Sequence, residues 1–231
     1  MLQVKNLVVD LDGFKLTADF EIAKGSLISI VGPSGAGKST LLNTLAGFIP
    51  VTSGTIKWNG LEITKQDPGL RPLSILFQDY NLFSHLTVKD NIAIGLRPNL
   101  KLNDLETDLV NSVIEEVGLS KFKFTKPFQL SGGQRSRVSL ARSIVRSKPI
   151  LLLDEAFSGL GPALRTEMIK LIKNKSIKEK ITLIMVSHHI KDAMELDQKV
   201  IFVNGGETMK PINISVFINS KDENIREYIG L

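Results

Sequence analysis

Apolar positions in the first thirty residues recur every second residue. In "LQVKNLVVDL", "FKLTADFEI" and "SLISIV" they alternate or run together with β-branched side chains. That period predicts three strands, at 2–11, 14–22 and 26–31. The pattern then changes. A glycine-rich stretch follows Val31, and helical spacing runs from Thr40 to Ala46. "GTIKWNG" reads as a short strand between turns, and "PLSILFQ" as a strand ending at Gln78. From Thr87 to Lys123 the period is mostly helical, and Thr87 with Asp90 predicts a helix start. A further helix runs to Ser147. After it come a strand (150–154), a helix (163–173), a strand (182–187), a helix (190–196) and a strand (199–203). Alternating strands and helices predict a parallel α/β core, and the early strands predict an antiparallel layer beside it. The helical block from about 87 to 147 reads as an inserted lobe in a single domain spanning 1–231. Residues 211–231 carry too weak a pattern to assign.

Composition narrows the class. The 231 residues are 42% hydrophobic and 23% charged, as in globular domains. There is no cysteine, which excludes disulfides and thiolate metal sites and is compatible with the cytosol. The start, "MLQVKNLVVDLDG", lacks the basic-then-apolar order of a signal peptide. No apolar run approaches the ~18 residues of a membrane span. The net charge of +5 suits nucleic acid or anionic lipid, but the basic residues are scattered, as on a solvated face.

"GPSGAGKST" fits G-x-x-x-x-G-K-[ST] and lies between a predicted strand and a predicted helix. Its residues are Gly32, Pro33, Ser34, Gly35, Ala36, Gly37, Lys38, Ser39 and Thr40. In that context backbone N–H groups wrap a phosphate chain at a helix N-terminus. Lys38 is placed to reach the β- and γ-phosphates of ATP, and Ser39 to bind Mg²⁺. "PILLLDEAFS" supplies two carboxylates at the end of an apolar strand. They repel each other and need compensation. Mg²⁺ would provide it for Asp154, leaving Glu155 to polarise an attacking water. Gln78, at a strand end, can meet Mg²⁺ or that water, or can be an ordinary polar strand end. His188 follows the strand "ITLIMVS" and belongs at the carboxyl ends of the parallel strands, beside a γ-phosphate.

"LSGGQRSRVSLAR" holds a capping-box spacing, Ser131 to Gln134, with two glycines inside the first turn. Each helical glycine costs up to ~1 kcal/mol against alanine, so something must use the bare backbone. In order, the phosphate loop, Gln78, LSGGQ, Asp154–Glu155 and His188 resemble the ATP-binding-cassette ATPase family over residues 2–207. The resemblance implies a phosphate-loop NTPase of the ABC-ATPase fold, with the antiparallel layer, parallel core and helical lobe described above. It implies a homodimer that sandwiches ATP. Ser131, Gly132, Gly133 and Gln134 would face the γ-phosphate held by a second subunit, where a β-carbon would block the phosphate's approach.

The stretch at 71–103 also resembles the ATP-binding subunits of bacterial thiamine importers. That implies peripheral attachment at the cytoplasmic face of the inner membrane. It implies a permease partner, an indirect link to a periplasmic substrate-binding protein and no nucleic acid. Tyr80, Leu82 and Phe83 would contact the permease or pack under the helical lobe. Three positions depart from the family pattern. Leu11 stands where an adenine-stacking aromatic is usual, with Phe14 as a substitute. Ala156 stands where proline follows the catalytic glutamate. Gly161, in "SGLGP", replaces the aspartate that links two nucleotide sites.

Overall fold

The computed structural model describes residues 1–11, 13–196 and 198–231. Strands β1 (Leu2–Leu11), β2 (Phe14–Ile22), β4 (Ser53–Trp58) and β5 (Leu61–Glu62) form an antiparallel layer. Alternate β1 side chains are buried until Lys5 and Asn6, where the register to β2 shifts between Val4 and Leu7. Strands β3 (Leu27–Val31), β6 (Leu73–Leu76), β7 (Ile150–Asp154), β8 (Thr182–Val186) and β9 (Lys199–Asn204) form the parallel part, in the order β9-β3-β8-β7-β6. Both β3 and β8 are buried at every position, which is why they read as continuous apolar runs. The short β10 (Glu207–Thr208) joins β9 to β2 and links the two layers.

Helix α1 (Lys38–Ala46) lies between the layers, with Leu41, Leu42 and Leu45 buried among side chains of both. Helices α2 (Val88–Ala93), α3 (Asp104–Glu116) and α4 (Gly132–Ile144) fall between β6 and β7 in sequence. They share one apolar cluster with α5 (Pro162–Glu179) and the outer face of the parallel strands. The long helical period at 87–123 is in fact two helices. Gly95, where a side chain would collide with the Arg142 carbonyl, and Pro98 follow α2, and an Asn103–Glu106 capping box starts α3. The predicted strand ending at Gln78 stops at Leu76, and the helix predicted to end at 173 runs to Glu179.

The unassigned tail is ordered. Strand β11 (Ile212–Asn213) pairs with β9, and α7 (Ile214–Ile218) and α8 (Glu223–Ile229) follow it. Phe217 and Tyr228 pack around Phe202 of β9, with ring centroids 5.6 Å from it in both cases. Helix α6 (Ile190–Leu196) closes this third cluster through Ala193.

Candidate active site

The carboxyl ends of β3, β7 and β8 converge, and each leads into a loop that carries a candidate residue. Gly32 follows β3 with φ 151°, and a β-carbon there would lie 1.9 Å from the Val203 carbonyl oxygen of β9. Gly37, φ 105°, leaves room for the Phe14 ring, which a β-carbon would meet at 2.7 Å. These two glycines therefore press the loop's backbone against the scaffold behind it. Lys38 is 6% exposed, and its ammonium donates to the Gly32 and Pro33 carbonyls at 2.9 and 2.7 Å. Burial lowers its pKa, and the nearby charges of Glu155 and Asp154 oppose that shift.

The Ser39 hydroxyl donates to Asp154 Oδ1 at 2.9 Å. Burial raises the Asp154 pKa. Glu155 next to it raises it further, while the Ser39 bond and Lys38 pull the other way. Two oxygen donors in a desolvated spot with excess negative charge suit a hard divalent cation. Glu155 itself has φ 46°, in the left-handed region that favours glycine. For a side-chain-bearing residue that conformation costs on the order of 1 kcal/mol. Its amide donates to the Val186 carbonyl at 3.2 Å, which ties the turn to β8. His188 Nδ1 sits 3.3 Å from Glu155 Oε2. The neighbouring His189 ring lies 3.9 Å from that of His188, and burial lowers the His189 pKa.

A cleft of about 450 Å³ is lined by Leu11, Phe14, Ser34, Gly35, Gly37, Lys38, Ser39, Thr40 and Glu155. Leu11 is 37% exposed at its mouth, whereas Phe14 packs down on Gly37. Gln78 does not line this cleft. It lines a separate groove of about 620 Å³ with Tyr80, Leu82, Phe128, Gly132 and Arg135. In that groove the signature stretch forms the expected cap. The Ser131 amide donates to Gln134 Oε1 at 2.8 Å, and the Gln134 amide donates to Ser131 Oγ at 3.3 Å. Gly132 faces open space, but a β-carbon on Gly133 would lie 2.3 Å from Leu164 Cδ2 of the same chain. A side chain at 133 would have to push aside the end of the half-buried Leu164. One chain places the phosphate loop, Asp154, Glu155 and His188 together, and leaves Ser131 and Gly132 pointing elsewhere.

The segment after Gln78 is tied to the helices. Arg142 donates to the Tyr80 and Asn81 carbonyls at 2.8 Å each, and its guanidinium lies 5.9 Å from the Phe83 ring. The fully buried Asn91 side chain accepts from the Phe83 amide at 2.9 Å and donates to the carbonyls of Phe83, Leu86 and Thr87. Phe83 is nonetheless 43% exposed. It helps line a groove of about 580 Å³ with Phe48, Phe77, Leu96 and Arg146. Sequence reasoning gave Arg142 and Asn91 no role, because both sit inside helical patterns.

A strand, phosphate loop and helix, with an acidic pair at the end of a second parallel strand one strand away, define a phosphate-loop nucleotide-binding protein. A family model described as "ABC transporter" matches residues 16–158. The chain belongs to the ABC transporter family, and its fold is that of an ABC ATPase. It is 42% identical to the thiamine import ATP-binding protein ThiQ of a Ruegeria species, over 100% of both chains. To the ThiQ of Yersinia pseudotuberculosis it is 46% identical, over 89% of this chain and 87% of that one. Among solved structures, cbiO1 from Clostridium perfringens, part of the cbiONQ ABC transporter complex, superposes with a TM-score of 0.84 at 29% identity. That match covers 94% of this chain and 90% of the other. A dimeric ATP-binding cassette in a post-hydrolysis state, bound to ADP and Pi, superposes with a TM-score of 0.78 at 26% identity. It covers 93% of this chain and 99% of that one.

Proposed function

We propose that this chain is the ATP-hydrolysing subunit of an importer for thiamine or thiamine phosphate. Two copies work head to tail beneath a membrane permease that a periplasmic binding protein supplies. The observation that carries the reading is the cleft lined by Lys38, Ser39 and Glu155, with Asp154 bonded to Ser39 and His188 in contact with Glu155. The relatives named for thiamine import support the substrate. The described helices include none long and apolar enough to cross a membrane, so the attachment proposed is peripheral, at the cytoplasmic face of the inner membrane.

The geometry supports the following roles. Amides of the phosphate loop receive the phosphates, and the Lys38 ammonium exchanges two backbone carbonyls for β- and γ-phosphate oxygens. Leu11 at the mouth and Phe14 beside Gly37 flank the space for the base. Ser39 and Asp154, joined by Gln78 on closure, would hold Mg²⁺, which supplies charge neutralisation between the phosphates when bound. Glu155 takes a proton from the attacking water. His188, in contact with Glu155, orients that carboxylate and reaches the γ-phosphate. Ser131, Gly132, Gly133 and Gln134 face the nucleotide of the other copy, since none of them lines the phosphate-loop cleft of their own chain and Gly132 opens onto a different groove. The whole chain acts as one ATPase domain, with residues 87–147 as its helical lobe. Phe83 and the groove beside Arg142 receive the permease.

The test is ATP hydrolysis by the chain reconstituted with permease and binding protein in proteoliposomes. Thiamine is expected to stimulate turnover, and Lys38→Ala to abolish it. Equal turnover with and without thiamine removes the substrate reading. Unchanged turnover in Lys38→Ala removes the phosphate-loop assignment.

A further inference from the structure

Two loops must keep their relation to each other if Glu155 and His188 act on one water and one phosphate. They touch at the cleft, through the 3.3 Å contact between the two side chains. A second connection lies behind it, among buried groups. Asp192, in the first turn of α6, is 6% exposed. Its Oδ2 accepts from the Ser187 hydroxyl at 2.6 Å and lies 3.6 Å from Arg165 Nε. Ser187 follows β8 directly and leads to His188, and its oxygen also accepts from the His189 amide at 3.0 Å. Arg165, on α5, turns the same Nε to the Phe157 carbonyl at 3.2 Å. Phe157 belongs to the loop that leaves Glu155.

We propose that Arg165 and Asp192 are positioning residues for hydrolysis, a buried charge pair that fixes the Glu155 loop relative to the His188 loop. The inference rests on the reading of Glu155 and His188 given above. Among the described residues, Arg165 is the only side chain that hydrogen-bonds to the backbone of residues 156–161. The far end of that loop has no such support, since Gly161 caps α5 without a side-chain bond. On the other side, one carboxylate oxygen anchors the Ser187 hydroxyl, which in turn anchors the His189 amide. A cavity of only about 10 Å³ separates the two loops, bounded by Phe157, Ser158, Arg165, Ser187 and Asp192 among others. So small a gap leaves the two loops packed against each other. None of these groups lines the phosphate-loop cleft, so the pair acts through the loops it holds and not on ATP itself.

The experiment uses the purified full-length chain in single-turnover hydrolysis of radiolabelled ATP, with nucleotide affinity measured separately by a fluorescent ATP analogue. Asp192→Asn keeps an acceptor for Ser187 and removes the charge. Arg165→Met keeps the length and removes charge and donor. Each is expected to lower the hydrolysis rate about ten- to a hundredfold, the scale of a misplaced reacting group. Affinity should stay within about twofold, because uniform binding is untouched. The double variant should lose no more than the worse single one, since the two act as a unit. Arg165→Lys keeps the charge and should recover part of the rate; it carries the test if Arg165→Met does not fold. Glu155→Gln run alongside separates the two ideas: wild-type hydrolysis in that variant overturns the underlying reading rather than this pair. Wild-type rates in Asp192→Asn and the Arg165 variant, or equal losses of rate and affinity, overturn the proposal.

Discussion

Alanine at Gly132 and alanine at Gly133 are expected to have unequal effects on stability. The two glycines occupy the first turn of α4, and replacing a helical glycine by alanine gains up to about 1 kcal/mol. At position 132 nothing lies within 4 Å of the new β-carbon, so the gain stands. At position 133 that carbon lies 2.3 Å from Leu164 Cδ2. Leu164 packs against the apolar cluster under α5, but it is half-buried and the contact is with the movable end of its side chain, so its shift costs about 1 kcal/mol, the low end of overpacking. The net at 133 is close to zero, and the two variants differ by about 1 kcal/mol. For a chain of this size each kcal/mol moves the melting midpoint by about 2–4 °C, so Gly132→Ala should melt about 2–4 °C above Gly133→Ala. Thermal melts of both variants beside the wild type measure this. Equal midpoints, or Gly133→Ala as the more stable variant, refute the packing argument. The same pair bears on function. Since the fold has no use for a bare backbone at 132, the reason for glycine there must come from outside the chain. Gly132→Ala should therefore lower turnover in the dimer while raising the melting midpoint. A more stable variant with unchanged turnover ends the idea that position 132 faces the partner's nucleotide.

Glu155→Gln keeps the shape of the side chain and loses the base, so it should bind ATP, hydrolyse it very slowly and show an ATP-dependent dimer by light scattering. Asp154 is held above its ordinary pKa by burial. A carboxyl whose folded pKa is raised binds its proton more tightly when folded, so it favours folding at low pH and loses that contribution as pH rises through the folded value. Asp154→Asn should accordingly raise the melting midpoint of the nucleotide-free chain near neutral pH, flatten its pH dependence above pH ~4 and abolish hydrolysis; a lower midpoint contradicts the burial argument. Phe217→Ala, at a fully buried site in the tail cluster, should cost about 3–5 kcal/mol by urea denaturation. Gly161→Asp meets no neighbour and no backbone barrier, because φ is −62°. It should add a few tenths of a kcal/mol as a helix cap and raise either ATPase rate or cooperativity in ATP; identical rate curves would make the departure from the family pattern neutral.

The parts of the fold legible in the sequence are those whose side chains face one environment. Strands β3, β7 and β8 are enclosed on both faces and read as apolar runs, and each has a residue of conspicuous chemistry at its end or within two residues after it: Gly32, Asp154 and His188. The split between α2 and α3 was legible too, in Gly95, Pro98 and the Asn103–Glu106 spacing, but a continuous helical period outweighed them. The tail was not. Helices of five and seven residues are too short to show a period, and they form only because Phe217 and Tyr228 find Phe202 across the chain. Pairing between distant residues is likewise invisible in a pattern. Asp192 looks like an exposed helix-start acid until Ser187 and Arg165 are placed beside it.

Distant pairing also accounts for the shape of the phosphate loop. A loop that greets an anion with its amides must hold them in place beforehand, since ordering it during binding would cost affinity. "GPSGAGKST" cannot do this alone, for it is rich in glycine and contributes no apolar anchor larger than Ala36. The rigidity comes from behind. The Val203 carbonyl of β9 fills the space beside Gly32, and the Gly206 amide donates to the Ala36 carbonyl at 3.1 Å. Arg71, 2% exposed, donates to the Thr44 and Leu45 carbonyls at the far end of α1 and so fixes the helix whose start the loop forms. Tyr228 of the tail reaches the His188 carbonyl at 3.4 Å, and its hydroxyl faces the Gly32 amide. Strand β9 and the tail are therefore part of the nucleotide site even though no residue of either lines the cleft. A change that loosens the tail should be felt at the phosphate loop before it is felt in the helical lobe, which shares no cluster with it.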